Sequence, residues 1–388
     1  MVHLYLFNPA RKIRLLTTLL YRGSKRILAS ADSTSVLTAT KPKKPSVVPS
    51  KPPSGELTQD VDYYKESESG SCVFQVESTL FKIHRVLLAR EPSAFGDMFS
   101  LPQQRKDLDS TWDGTPVKLT DTVVQFRDFL WALYAPPNEL YLECQIDRLL
   151  NVAELTNKYC FSSFESWVIE RIYVLAQEPT GPLRSASPEV CARMLNVAIL
   201  CNHNQLQDLI TQHLISRILW YYTLPDSVIE IAEAHGLRTL QGVGYYRQLI
   251  NMESPATDDR RIVQPRFPSN MNTEKRMRFL SANHSLLTLW EQLRATPPNI
   301  RADGCLSHGE CIATWTHMWH EAGAANESLR CGSADVLGRL KSVMIGLRKS
   351  MADTPCMTLQ CKMAALEAIT EARDVIIDGL MDHFMDTF

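Results

Sequence analysis

From residue 122 onward, apolar side chains recur every three or four positions, which is the spacing of one face of an α-helix. The pattern predicts helices over residues 122–134, 145–158 and 162–176, and it continues through residues 188–250. We therefore expect most of the chain beyond its first third to be helical.

The segment before these helices has a β-like pattern. Residues 73–83 hold two short β-prone runs on either side of Glu77-Ser78, which predicts a hairpin although the turn lacks Asn-Gly or Asp-Gly. The elements expected next are two short helices around Val86–Leu88 and Phe95–Phe99, a polar loop over 100–116 and a strand at 117–119. The predicted fold class is α+β, with a small sheet flanked by helices and an all-α C-terminal extension.

Residues 273–388 are again helical by periodicity. Trp315, Met318 and Trp319 share one predicted helix face. A last long helix is predicted from the apolar stripe of Leu359, Met363, Leu366 and Ile369.

Three phrases of the first region resemble the BTB/POZ domain, in the form abundant in mushroom-forming (basidiomycete) fungi. They are Leu80-Phe81-Lys82-Ile83-His84-Arg85, Met98-Phe99-Ser100-Leu101-Pro102-Gln103 and Leu130-Trp131-Ala132-Leu133-Tyr134-Ala135-Pro136-Pro137. The resemblance implies a BTB/POZ-like domain over residues 62–178 and a BACK-like helical extension over residues 179–250. It also implies a structural, hydrogen-bonded role for His84 at the start of the first helix.

The remaining segments differ in composition and charge. Residues 1–61 are expected to be a disordered basic tail and linker, residues 251–272 a second linker, and residues 273–388 a C-terminal helical region. Residues 1–60 carry a net charge of +7, whereas the rest of the chain carries −9. An acidic body argues against a nucleic-acid-binding core. No run of apolar residues is long enough for a transmembrane helix.

The basic N-terminus leaves the compartment open. Residues 1–31 contain six Lys or Arg and no acidic residue, a composition typical of a mitochondrial transit peptide. The alternative is a plain disordered basic tail on a cytoplasmic or nuclear protein.

The sequence predicts a non-enzyme without a cofactor or a small-molecule substrate, because it contains no phosphate-binding, hydrolase, metalloprotease or kinase motif. The resemblance implies a protein partner, homodimerisation through the BTB-like domain, and an adaptor role for a cullin-3 ubiquitin ligase. Met98 and Leu101 are the expected partner contacts. Gln103 departs from the hydrophobic-x-Glu contact of adaptors, so a transcriptional regulator or scaffold that uses the basic tail stays open.

The C-terminal cysteines give a further candidate site. Cys305-x2-His308-x2-Cys311 has a spacing compatible with zinc, and Cys356 or Cys361 could complete the site. Buried free thiols and a disulfide are the two alternatives.

Overall fold

A computed structural model gives the fold of residues 57–64, 70–100, 116–136, 145–221, 226–253, 267–302, 304–325 and 331–385. These residues form one small sheet and a large set of helices, so the predicted α+β fold class is confirmed. None of the helices in these ranges is both long and apolar enough to cross a membrane.

The sheet is built around a β-hairpin. Strand β1 (Thr58–Gln59) lies parallel to β3 (Thr79–His84), which pairs antiparallel with β2 (Ser71–Val76). Strand β4 (Val117–Leu119) lies parallel to β2 and gives the strand order β1-β3-β2-β4. The predicted hairpin and the predicted strand at 117–119 are both present.

The hairpin turn has a backbone conformation that its sequence does not favour. Glu77 adopts a φ of 52°, in the left-handed region that non-glycine residues rarely occupy. Phe74 and Phe81 lie opposite each other on the two strands, and both are fully buried. Burial of this aromatic pair sets the register, because a shift by one residue would turn both rings toward solvent.

In the described part of the chain, five helices accompany the sheet, and they lie close to the predicted positions. They are α1 (Arg85–Leu88), α2 (Ala94–Ser100), α3 (Val123–Tyr134), α4 (Ile146–Lys158) and α5 (Ser162–Gln177). Thr122 forms a capping box with Gln125, which fixes the start of α3 directly after β4.

The sequence predicts that Phe81, Phe95, Phe99 and Trp131 are buried together in the first region, and the structure differs from this prediction at Trp131. As predicted, Phe81 and Phe95 are buried in one cluster with the sheet, and Phe99 is half-buried in the same cluster. Trp131 instead lies on the side of α3 that packs against the neighbouring helical core, with the Arg148 guanidinium 4.9 Å from its ring centre. Helix α3 therefore has apolar residues on two sides. A prediction of one apolar face does not tell which of these residues faces which core.

The start of the folded region also differs from the prediction. Thr58 and Gln59 form β1 although they fall in the segment predicted as tail. Asp60 is buried, and its Oδ2 accepts a 2.6 Å hydrogen bond from Arg127 Nε of α3. Its Oδ1 accepts from the backbone N–H of Asp62 and Tyr63. This carboxylate ties the first strand to α3. Residues 1–56 of the predicted tail lie outside the described residues.

The remaining described helices form a second, larger core together with one side of α3, α4 and α5. They are α6 (Pro182–Ser185), α7 (Pro188–Leu200), α8 (Asn204–Tyr221), α9 (Asp226–Ala234), α10 (Arg238–Met252), α11 (Thr273–Ala295), α12 (His308–Ala324), α13 (Val336–Asp353), α14 (Leu359–Gly379) and the 3₁₀ helix Leu380–Phe384. One buried cluster extends from Ala132 to Phe384. The predicted BACK-like extension and the predicted C-terminal helical region thus share a single core.

The predicted stripe of α14 is wrong at two of its four positions. Leu359 and Met363 are 75% and 65% exposed. The buried face is formed instead by Cys361, Ala365 and Ile369. Cys361 and Ala365 are small and give a weak apolar signal, so the larger exposed residues Leu359 and Met363 dominate the periodicity.

Acid should weaken the second core through His213 of α8. Burial and the nearby Arg217 and Arg184 lower the pKa of His213 from 6.5 to about 4. As the pH falls from 6.5 toward 4, the unfolded state takes up this proton first, so stability is lost over that interval. Urea unfolding at both ends of the interval should show a smaller pH-dependent loss for His213→Gln than for wild type. An identical loss in both proteins would contradict the prediction.

Candidate functional site

Of the two predicted partner contacts, Met98 and Leu101, the structure describes Met98, which lies near the end of α2. Met98 is half-buried and packs against the sheet core, as does Phe99, whose ring lies 4.6 Å from the Arg85 guanidinium. Leu101 and residues 102–115 lie outside the described residues. Met98 therefore has one side on the core and one side available at the surface.

His84 sits where the resemblance implies, at the junction of β3 and α1. Its Nδ1 lies 2.9 Å from Tyr134 Oη, and its backbone N–H donates to the same hydroxyl. Tyr134 is the last residue of α3, so this contact joins the hairpin to α3. The expected hydrogen-bonded imidazole is present.

The C-terminal Cys and His residues come together from three chain segments. Cys305 lies in the connection before α12, while His308 and Cys311 are in the first turns of α12. Cys361 is in the first turn of α14. The ligand atoms of Cys305, His308 and Cys361 all lie within 4.8 Å of one another. Cys356 is exposed and forms no part of this group, so the structure favours Cys361 as its distant member.

The distances within this Cys/His cluster are short. Cys305 Sγ lies 3.9 Å from Cys311 Sγ, and Cys361 Sγ lies 3.5 Å from His308 Nδ1. Cys311 and Cys361 are fully buried, whereas Cys305 and His308 are half-buried. Two ligands thus face the interior and two lie toward the surface.

Thr358 is a member of this site that sequence reasoning did not identify. Its hydroxyl caps α14 by accepting from Cys361 N–H, and it also lies 3.6 Å from Cys305 Sγ. This hydrogen bond to Thr358 lowers the pKa of Cys305, whereas burial raises the pKa of Cys361. Threonine is a common N-cap residue, so Thr358 could have been used to predict a helix start that places Cys361 in the first turn.

Other buried cysteines in the described part of the chain have different surroundings. Cys72 Sγ contacts the backbone carbonyl of Ile83 at 3.5 Å, and Cys191 Sγ contacts that of Leu183 at 4.0 Å. Both thiols have high pKa values because they are buried. Cys72 behaves as a small apolar side chain, whereas Cys191 Sγ also lies 3.5 Å from Arg217 Nη1.

Comparisons of the chain with protein-family models, with curated proteins and with solved structures find no match.

Proposed function

We propose that residues 62–178 act as a non-catalytic protein–protein interaction module of the BTB/POZ type. The observation that carries this proposal is the order of elements over the residues that show the resemblance. A hairpin is followed by the helix pair α1–α2, then by the short strand β4, and then by α3, α4 and α5. This is the order that the BTB/POZ resemblance implies.

The packing of the first region suits a rigid binding scaffold. Asp60 connects to Arg127, and Asp121 connects to Lys158 at 2.5 Å and to the Tyr159 hydroxyl. Both carboxylates are buried and join separate elements to the helices on the sheet. Elements held in this way present a surface at little entropic cost, which favours binding.

The partner surface that we propose is the end of α2, with Met98 and Leu101 as apolar contacts. A few apolar anchors beside polar residues supply most of the free energy in many protein interfaces. The partner class that the resemblance suggests is cullin-3, with the protein acting as a ubiquitin-ligase adaptor. Gln103 replaces the glutamate of the usual contact, so the apolar anchors would have to supply more of the affinity.

Leu101→Asp should abolish co-purification of cullin-3 from the native host while leaving thermal stability nearly unchanged. Loss of a hot-spot residue costs about 2 kcal/mol or more, which corresponds to roughly thirtyfold weaker binding. Val124→Asp is the matched control, because Val124 is 62% exposed and lies on α3 rather than α2. Equal recovery with both variants would contradict the proposed surface.

The second candidate function is a transcriptional regulator or scaffold that uses the basic tail. The net charge of +7 over residues 1–60 favours it. Binding of this kind depends on counterion release and therefore weakens steeply with salt. Salt-dependent DNA binding that disappears on removal of residues 1–60, without cullin-3 recovery, would select this candidate.

A further inference from the structure

We propose that Cys305, His308, Cys311 and Cys361 bind one structural zinc ion that joins the start of α12 to the start of α14. This inference is independent of the proposed function of the first region. It rests on the positions of three thiols and one imidazole that arrive from separate segments of the chain.

Two distances within the Cys/His cluster match those of a tetrahedral zinc site. With Zn–S bonds of about 2.3 Å and Zn–N bonds of about 2.0–2.1 Å, tetrahedral geometry places two sulfur ligands about 3.8 Å apart and a sulfur and a nitrogen about 3.5 Å apart. The Cys305–Cys311 sulfur pair is separated by 3.9 Å. The distance from Cys361 Sγ to His308 Nδ1 is 3.5 Å. Both separations suit a shared ion. Cys311 is not among the three residues whose ligand atoms all lie within 4.8 Å of one another, so its sulfur would have to move closer to the others when the ion binds.

Apolar packing explains only part of this arrangement. It accounts for the burial of Cys311 and Cys361, as it does for Cys72 and Cys191. It does not account for Cys305, which is half-buried and has its sulfur beside another thiol and the Thr358 hydroxyl.

The donor set indicates the metal and its role. Three cysteines and one histidine are typical of closed structural zinc sites, in which no position is left for a substrate. Thiolates also disfavour Mg²⁺ and Ca²⁺, which take oxygen ligands. On binding, the cysteines lose their protons to solvent, and His308 coordinates through Nδ1 as the neutral ring.

A zinc ion at this site would link the connection between α11 and α12 to the start of α14. The chain from the end of α11 to the start of α12 has no regular secondary structure among its described residues, and Cys305 lies near its end. A zinc ion would hold this connection against α14. Thr358 would add a hydrogen bond to a coordinated sulfur, a contact that orients metal ligands in known sites.

The test is the zinc content of the full-length protein, purified without a histidine tag or chelator and measured by inductively coupled plasma mass spectrometry. We expect about one zinc ion per chain in wild type and at least a tenfold lower content in Cys305→Ser and Cys361→Ser. Cys356→Ser is the matched control and should retain the ion, because Cys356 is an exposed cysteine outside the cluster.

Cobalt(II) substitution provides a second readout that does not depend on the purification history. Wild type and Cys356→Ser should develop the visible absorption of tetrahedral, thiolate-bound cobalt, and His308→Ala should lose it. Circular dichroism separates a lost ligand from a lost fold, and Cys305→Ser keeps the test valid if Cys361→Ser does not fold. Wild type without zinc and without cobalt absorption, or with a Cys305–Cys311 disulfide by mass spectrometry, would overturn the proposal.

Discussion

Phe81→Ala should lower the free energy of unfolding by about 3–5 kcal/mol, which is the usual cost of deleting a buried aromatic side chain. Phe81 is fully buried and packs edge-to-face on Phe126, with ring centres 5.1 Å apart. It also lies opposite Phe74 on the neighbouring strand. The truncation would therefore leave a cavity between the hairpin and α3 that the surrounding aromatic rings cannot move to fill.

Urea denaturation of full-length wild type and Phe81→Ala measures this loss. Val86→Ala is the control, because Val86 belongs to the same region but is 74% exposed, and its removal should change stability by less than about 0.5 kcal/mol. A loss below about 1 kcal/mol for Phe81→Ala would contradict the hairpin register.

Gly242→Ala should destabilise the second core by about 1–3 kcal/mol, as overpacking usually does. Gly242 lies within α10 and faces the 3₁₀ helix Leu380–Phe384. A Cβ atom there would lie 2.5 Å from the backbone nitrogen and 3.0 Å from the Cα of Met381. Because the obstruction is backbone, the two elements would have to separate.

That separation would disturb the aromatic contact between Tyr245 and Phe384, whose ring centres are 5.5 Å apart. Gly346→Ala is the matched control, because Gly346 is also inside a helix but meets only the Ala322 Cβ at 3.9 Å. Alanine is the better helix former, so this control should gain about 0.5–1 kcal/mol. Thermal unfolding of both variants should show shifts of opposite sign. Two shifts of the same sign would contradict the close approach of α10 and the 3₁₀ helix.

The sequence predicted elements well where periodicity and local signals agree. Helices α3, α4 and α5 begin and end within a residue or two of the predicted positions. At α7, Ser187 caps the helix and Pro188 begins it, as expected from these residue types. Gly236 follows α9 with a φ of 63°, which is typical of a glycine just after a helix.

The failures come from residues whose position depends on distant partners. Trp131 packs on the second core because α3 lies between two cores. The residues near Trp131 in the sequence do not indicate that the second core exists. Asp60 is buried because Arg127, far along the chain, supplies the opposite charge. Burial of Cys361 and exposure of Leu359 depend on which side of α14 meets its neighbours.

The Cys/His cluster was predictable only in part, for a similar reason. The spacing of Cys305, His308 and Cys311 indicated a candidate site. The choice between Cys356 and Cys361 depends on how α12 and α14 approach each other. Sequence spacing alone does not contain that information, and the Thr358 contact to Cys305 follows from the same helix packing.

The proposal that residues 62–178 bind a protein partner through the end of α2 can be tested by calorimetric titration of the purified full-length protein with the N-terminal domain of cullin-3 from the same host. We expect a dissociation constant of about 1 μM or tighter, and roughly thirtyfold or more weaker binding for Leu101→Asp but not for Val124→Asp. No detectable binding by wild type at micromolar concentrations would contradict the adaptor function. Binding that is equally strong in Leu101→Asp would contradict the proposed surface.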